Sequence, residues 1–574
     1  MSRALFPLVN VCWIAALLLA HLDVVSAARA HTCSEVKTAF QLRQIGPLKW
    51  VPEAPSTDVN LLVCKHDGPS CCTRKMEDSY KVAALRDTVQ NIRSYSFELK
   101  FLLSSQAAAF QDMYQSLFTF SQGHLSSLFE SSYTSLTSEI GPNVTSLFSS
   151  LSKFIQDTPN VSVDAAVYSF YDNLFLLVHN HIIKPGIVED SNLSECLRAT
   201  RQDVNPFGPH AQAMVEELAG AMQAARALTR AFSMGEELMN ITEMSPLSNE
   251  CARALLKMQY CPHCQGLTLI RPCPEFCLNV MRGCLANVAE IDMPWRHYVA
   301  ILEDLTQTIV GEHSLELALL GVREHVNKAI LHAQLHEARI SVTVDKVCGH
   351  SLAENESTHP TTVKMIPTVT LAPEPTTNQT DSNIKKQLGK LLDLRRELIK
   401  HIVRYKAFFA ALPEMLCEGE VVRDEPNCWS GNDVVESYKG RVVGNGVLAQ
   451  RQNPEVRVRG PDAILAAVKE RLQHFNQEIQ QHMPGMGHRD SWDLGSGEDS
   501  SGECDDEDGC QGSGEGTTKS STTDSSVDTE VVVKSPPHKA PVGRFTPKLH
   551  NAAHLVLPSF TTLILILGQQ WTLN

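Results

Sequence analysis

The chain has 574 residues, 43% of them hydrophobic, enough for one large folded body or several ordinary ones. Its 65 acidic residues outnumber the 50 basic ones, giving a net charge of −15 without a basic patch, which excludes nucleic acid as a partner.

Arg3 precedes an apolar run, Val11–Ala20, and the small residues Ala28-Arg29-Ala30 follow. The run falls short of the ~20 residues of a membrane span, so residues 1–30 read as a secretory signal peptide, with Ala27 as a second cleavage point. Cys12 lies inside it. The other sixteen cysteines form an even set behind a signal peptide, which implies an oxidising compartment and a disulfide framework. Six N-x-Ser/Thr sequons at Asn143, Asn160, Asn192, Asn240, Asn355 and Asn378 agree with secretion and mark expected glycan sites.

Residues 31–352 read as a cysteine-rich helical core with N-terminal and central lobes. Apolar residues recur at three- and four-residue steps over Asp87–Phe120, Met214–Met239 and Ala300–His336, while period-two strand patterns are scarce. An all-α fold follows. Residues 353–385, with Pro360, Pro367, Pro373 and Pro375 among threonines, read as a flexible loop. Helical spacing returns over 386–483, first at Leu388, Leu391, Leu398, Ile402 and Phe409 up to Pro413, then over Pro461–Ile479.

Beyond Pro484 no packed structure is expected. Within 484–551, the run Trp492–Gly516 holds nine carboxylates and no Lys or Arg, so it accounts for nine of the fifteen net negative charges. Such a segment stays extended in water. Ser496, Ser501 and Ser513 are each followed by glycine there, with hydroxyls open to a basic modifying enzyme. Three Ser-Gly units in one acidic run fit glycosaminoglycan attachment; one alone would fit a plain linker. Residues 552–574 contain the broken apolar run Leu555–Leu567, preceded by Asn551-Ala552-Ala553, which resembles a glycosylphosphatidylinositol (GPI) signal. Asn551 is the expected anchored residue and Gly543 the second choice.

The densest motif is Cys261-x2-Cys264, Cys273, Cys277 and Cys284. Paired C-x-x-C units suit zinc in a cytosolic protein, but secretion and the C-x3-C gap favour disulfides. The vicinal Cys71 and Cys72 are expected to reach separate partners. Neither a G-x-S-x-G elbow, an H-E-x-x-H motif nor a P-loop is present, so the chain does not read as an enzyme, and it implies no cofactor. His332 and His336 lie one helical turn apart, a metal pair without an evident third ligand, and read as a solvated helix face. His179 and His181 read as helix-capping residues. Gly440–Gly446 (GRVVGNG) is glycine-rich but lacks the strand-loop-helix setting of a phosphate cradle.

The block C-x2-C-x-G-L-x4-P-C-x2-F-C-x2-V-x2-G-C from Cys261 to Cys284 resembles the glypican signature at every position. CCTRKME at Cys71–Glu77, RALLKMQYC at Arg253–Cys261, Cys428-Trp429 and VVGNG at Val442–Gly446 extend the resemblance along nearly the whole chain. The tail cysteines Cys504 and Cys510 point to the glypican-3 and glypican-5 branch.

The resemblance implies an elongated, disulfide-braced α-helical core. Its fourteen core cysteines (Cys33, Cys64, Cys71, Cys72, Cys196, Cys251, Cys261, Cys264, Cys273, Cys277, Cys284, Cys348, Cys417 and Cys428) pair among themselves, leaving Cys504 and Cys510 as a local pair. It further implies a heparan sulfate proteoglycan held by GPI lipid in the outer leaflet of the plasma membrane, with a shed form conceivable. There it would act as a co-receptor for Wnt, Hedgehog, fibroblast growth factor (FGF) and bone morphogenetic protein (BMP) ligands and their receptors. A core that binds lipidated ligands without sugar is the alternative. Family members are often cut by a furin-type convertase before the last helices; this chain has no Arg-x-x-Arg between Cys348 and Cys417, only Lys385-Lys386 and Arg395-Arg396.

Overall fold

The computed structural model describes residues 32–185, 191–311, 313–349, 378–418 and 427–483. The chain divides into two compact units, 1–497 and 498–574, and every described residue belongs to the first.

The described fold is all-α. In chain order the helices are α1 Ser34–Leu42, α2 Arg74–Ser132, α3 Thr137–Ile155, α4 Val163–Val178, α5 Ser191–Val204, α6 His210–Met244, α7 Asn249–Gln259 and α8 Cys261–Cys264. They continue as α9 Pro274–Cys284, α10 Ala286–Ala289, α11 Asp292–Val310, α12 Leu315–Leu335, α13 Glu337–Cys348, α14 Asn378–Ile402, α15 Phe408–Cys417 and α16 Ala463–His482. Among the described residues only β1 (Cys428–Trp429) and β2 (Val434–Val435) pair as strands, antiparallel and in register Cys428 with Val435.

Helix α2 organises the rest. Its 59 residues span about 88 Å at 1.5 Å per residue. Proline is absent between Pro69 and Pro142, and the Thr73 hydroxyl accepts the Met76 N–H to start the helix. Apolar spacing continues past Phe120 through Leu125, Leu128 and Phe129, so the helix outruns the expected Asp87–Phe120 segment at both ends. Helices α6 and α12 pack along it, α11 packs on α6, and all four enclose one large apolar core. Alanines on α6 let neighbours approach closely: the Tyr298 hydroxyl of α11 donates to the Ala231 carbonyl at 2.8 Å and lies over Gly235, where a Cβ would collide with it.

Two boundaries depart from the sequence expectation. Ala300–His336 is not one run but α11 and α12, because Gly311 ends the first and the Ser314 hydroxyl caps the second through the Leu317 N–H. Helix α14 begins at Asn378, ahead of the expected 386, since the proline-bearing stretch ends at Pro375 and the next proline is Pro413.

A second, smaller core surrounds the α2 N-terminus and is built from cystines, Tyr80, Tyr260, Phe276 and Trp429. Within it His263 is buried edge-on beside the stacked pair Tyr80 and Tyr260, ring centroids 5.6 and 5.4 Å away, and its Nδ1 has no partner among the described residues. Burial, then the nearby Arg43 charge, pushes its pKa down to about 4. The unfolded chain therefore takes a proton near pH 6.5 that the folded chain refuses until about 4, so stability falls as pH drops through that window. The loss is roughly 3 kcal/mol by linkage. Denaturant unfolding at pH 6.5 and at pH 4 should show His263→Phe losing less stability over this interval than the parent; equal losses would refute the assignment.

Candidate functional site

The described functional apparatus is a cystine-braced platform and the helix from which the Ser-Gly segment departs. Cys261 and Cys264, one helical turn apart in α8, present both sulfurs to the start of α2, where Cys261 bonds Cys64 and Cys264 bonds Cys72. Cys71 turns the other way to Cys33, so the vicinal pair serves separate partners. Cys251 to Cys284 ties α7 to α9, and Cys196 to Cys348 ties α5 to α13. Cys273 to Cys428 and Cys277 to Cys417 attach the C-terminal part. The Cys64–Cys261 bond closes a sequence separation of 197, which the chain-entropy account values at about 5 kcal/mol. All fourteen described cysteines are bonded, leaving no thiolate for zinc. Cys504 and Cys510 lie outside the described residues.

Buried polar side chains complete the platform. Glu77, in the first turn of α2, is 2% exposed and accepts the N–H groups of Leu62, Val63 and Cys64 at 2.8, 2.6 and 2.9 Å. It thereby holds the loop that delivers Cys64 to Cys261. Asn279 of α9 donates to the Arg441 carbonyl at 2.8 Å and accepts the Val443 N–H at 3.0 Å. Arg282 reaches the Val443 carbonyl at 2.6 Å, and Glu290 accepts the Val447 N–H at 3.0 Å. The Lys469 ammonium bonded to Glu290 holds that carboxyl below its ordinary range. In Gly440–Gly446 the Val443 N–H is thus committed to Asn279, and the Val447 N–H just past it to Glu290. The loop is a tether, not a phosphate cradle.

Helix α16 is clamped to its last turn. Asp462 caps it, Leu472, Phe475 and Ile479 are buried, and Asn476 donates to the Pro294 carbonyl at 2.8 Å. Arg230 of α6 grips Glu478 through both oxygens at 2.6 and 3.0 Å, and Arg471 grips Glu237 at 2.6 Å twice. These bidentate pairs fix α16 against α6, and the described residues run one residue past it, to Met483. Ser496 follows 13 residues later, so a fully extended connection reaches at most about 45 Å. Ser496, Ser501, Ser513, Asn551 and Gly543 lie outside the described residues, as do Asn355, the signal peptide and the anchor signal. Among the described residues no helix is long and apolar enough to cross a membrane.

Five sequons can be placed. Asn160, Asn192 and Asn240 are exposed, and Asn143 is half-buried. Asn143 and Asn160 line one groove of about 240 Å³ between α3 and α4. Asn378 is the first residue of α14. His179 is the C-cap residue of α4, whose chain runs on into a π-turn, His179–Ile183; burial holds His179 below its ordinary pKa, and His181, inside that turn, meets Glu139 at 3.2 Å. His332 is not on a freely solvated face: its Nδ1 lies 2.9 Å from the Pro206 carbonyl.

The Glypican family profile matches residues 15–559. The chain belongs to the glypican family. Glypican-5 of Homo sapiens is 38% identical over 507 residues, covering 87% of each chain. The crystal structure of C-terminally truncated glypican-1 superposes with a TM-score of 0.66 at 24% identity, over 79% of this chain and 98% of that one. A structure of Dally-like protein in complex with O-palmitoleoyl serine superposes at 0.55 and 20% identity, over 79% and 98%. Glypicans are cell-surface heparan sulfate proteoglycan core proteins, so the glypican resemblance read from the Cys261–Cys284 block is borne out.

Sequence reasoning missed Glu77, Asn279 and the α16 clamps. A polar residue on the apolar face of a short helix, as Asn279 is between Phe276 and Val280, was the available signal.

Because Cys417 and Cys428 bond Cys277 and Cys273, a cut between Cys348 and Cys417 leaves the two pieces covalently joined. A protease site inserted between Thr361 and Thr362 and then cleaved should give one band without reductant and two with it. Two bands without reductant would contradict these pairings.

Proposed function

We propose that this glypican is a GPI-anchored co-receptor. Its heparan sulfate, attached at Ser496, Ser501 and Ser513, gathers basic regions of Wnt, Hedgehog, FGF and BMP ligands beside their receptors. The carrying observation is the run of three Ser-Gly units within nine carboxylates, a short distance beyond a helix clamped by Arg230 and Arg471. A sulfated polymer attracts Lys and Arg clusters over a range set by salt, and several chains on one core bind multivalently. The body contributes little competing charge of either sign, since the acidic run holds most of the excess. Asn551 carries the lipid in this reading and positions the molecule in the outer leaflet.

Replacing Ser496, Ser501 and Ser513 together by alanine should abolish the heparinase-sensitive, high-mass smear of the secreted chain on a gel. Persistence of the smear places the sugar elsewhere. Phosphatidylinositol-specific phospholipase C should release the parent protein from cells; retention at the surface argues against the lipid anchor.

A second reading, direct binding of an acylated ligand by the core, is favoured by the Dally-like protein structure with O-palmitoleoyl serine. A cavity of about 250 Å³ beside α2 in this chain is lined by Val89, Ile92, Leu247, Val288, Phe409 and Leu412. The lining also carries Glu243, Glu250, Arg457, Arg459 and Asp462, so only its apolar part suits an acyl chain. The triple serine variant should still capture an O-palmitoleoyl-serine peptide, and adding Ile92→Trp should remove that capture. Equal binding with and without the tryptophan excludes this cavity.

A further inference from the structure

The groove between α3 and α4 carries a glycosylation sequon at each end. Its α3 wall runs from Asn143 through Ser146 to Ser150, residues three and four apart that share one helix face. The facing wall on α4 presents Ala165, Ala166 and Ser169, while Leu147 and Phe170, each 2% exposed, form the floor. From Asn143 to Ser150 the trough is about 10 Å long. Asn160 stands at the α3–α4 connection and Asn143 at the opposite end.

The lining has the chemistry of a sugar bed. No charged side chain lines it, in contrast to the cavity beside α2. The hydroxyls of Ser146, Ser150 and Ser169 have no hydrogen-bond partner among the described residues, and each can both donate and accept. The Ser162 hydroxyl accepts the Ala165 N–H at 3.4 Å and keeps its own proton to donate. An ion finds no counter-charge here, whereas a neutral ligand rich in hydroxyls and amides finds partners on both walls. Ala165 and Ala166 offer methyl groups against which the acetamide methyl of an N-acetyl sugar can pack.

The two sequons are not equivalent. Asn160 is exposed, at φ +62° in the connection, a left-handed conformation that asparagine tolerates. Asn143 is half-buried within α3, and the Thr145 hydroxyl of its sequon is occupied away from the groove. It donates to the Gly141 carbonyl at 3.1 Å and accepts from the Gln122 amide of α2 at 3.3 Å. A sugar on Asn160 therefore starts at an open corner with the whole trough ahead of it. At the far end Asn173 is already satisfied, donating to the Ser169 carbonyl at 2.9 Å and accepting from Arg198 at 3.1 Å.

We propose that the N-glycan of Asn160 folds back along this groove, its first two N-acetylglucosamine residues seated on Ser150, Ser169 and Ser146. The sugar covers the seam between α3 and α4 and shields Asn143. Neither the cystine framework nor the Ser-Gly segment takes part.

The test is enzymatic deglycosylation of the folded, secreted chain, read by glycopeptide mass analysis. Asn160 should be occupied. Without denaturant, peptide-N-glycosidase F should release its glycan from the parent at least about tenfold more slowly than from Ser169→Trp, whose indole fills the groove and turns the sugar out; about 1.4 kcal/mol of groove contact is enough for that ratio. Ser146→Trp, from the opposite wall, should release as fast as Ser169→Trp. Ser149→Trp, exposed on α3 outside the groove, should match the parent. A bare Asn160, equal release from the parent and both groove variants, or fast release from Ser149→Trp overturns the assignment.

Discussion

The structure depends on the covalent closure around the first turn of α2. Cys64 and Cys72 lie just ahead of the point where that helix starts, and both are bonded to a single turn of chain, Cys261–Cys264, nearly two hundred residues away. A 59-residue helix cannot be kept in place by its own propensity, because helical stability in water comes chiefly from packing one face. Here packing along its length is reinforced by cross-links at one end. Glu77 shows how exact that junction is. Its carboxylate satisfies three backbone N–H groups that the tight loop at Leu62–Cys64 would otherwise bury unpaired.

The same region gathers the late part of the chain. Trp429 packs beneath the cystines and donates its indole N–H to the Lys257 carbonyl at 2.9 Å. Asn279 and Arg282, both on α9, then hold the irregular stretch that leads to α16. Segments that would be ordinary surface loops are thereby tied as firmly as helices. That permits α16 to lie against α11 with its final turn fixed by Arg230, and the position from which the chain continues is set by the body.

Much of this was legible in the sequence and some was not, for physical reasons. Helical periodicity showed α2, α6 and α12 because each buries a long apolar stripe, and the cysteine spacing showed a disulfide framework because secretion removes the zinc alternative. The break between α11 and α12 was missed, since Gly311 and Ser314 interrupt an apolar spacing that looks continuous across them. Histidine roles were also opaque. His332 reads as solvated in sequence, but its environment comes from Pro206 and Gly208, more than a hundred residues earlier, and no local pattern encodes that contact.

The division of charge gives the proposed mechanism its physical logic. Paired charges on the body, such as Arg471 with Glu237 and Arg230 with Glu478, neutralise one another at short range and leave little field beyond a Debye length. The acidic run has no such pairing in its sequence, and sulfated chains on it would add charge of the same sign. A polyanion attached there would meet a body that neither attracts it strongly nor repels it far. In the proposed reading its sulfates would stay available to basic ligands instead of being consumed by the core, while the cavity beside α2, part apolar and part charged, would select by shape what the chains had gathered by charge. Capture and selection would then rest on different parts of one chain and vary independently, the first with ionic strength and the second with the fit of the ligand.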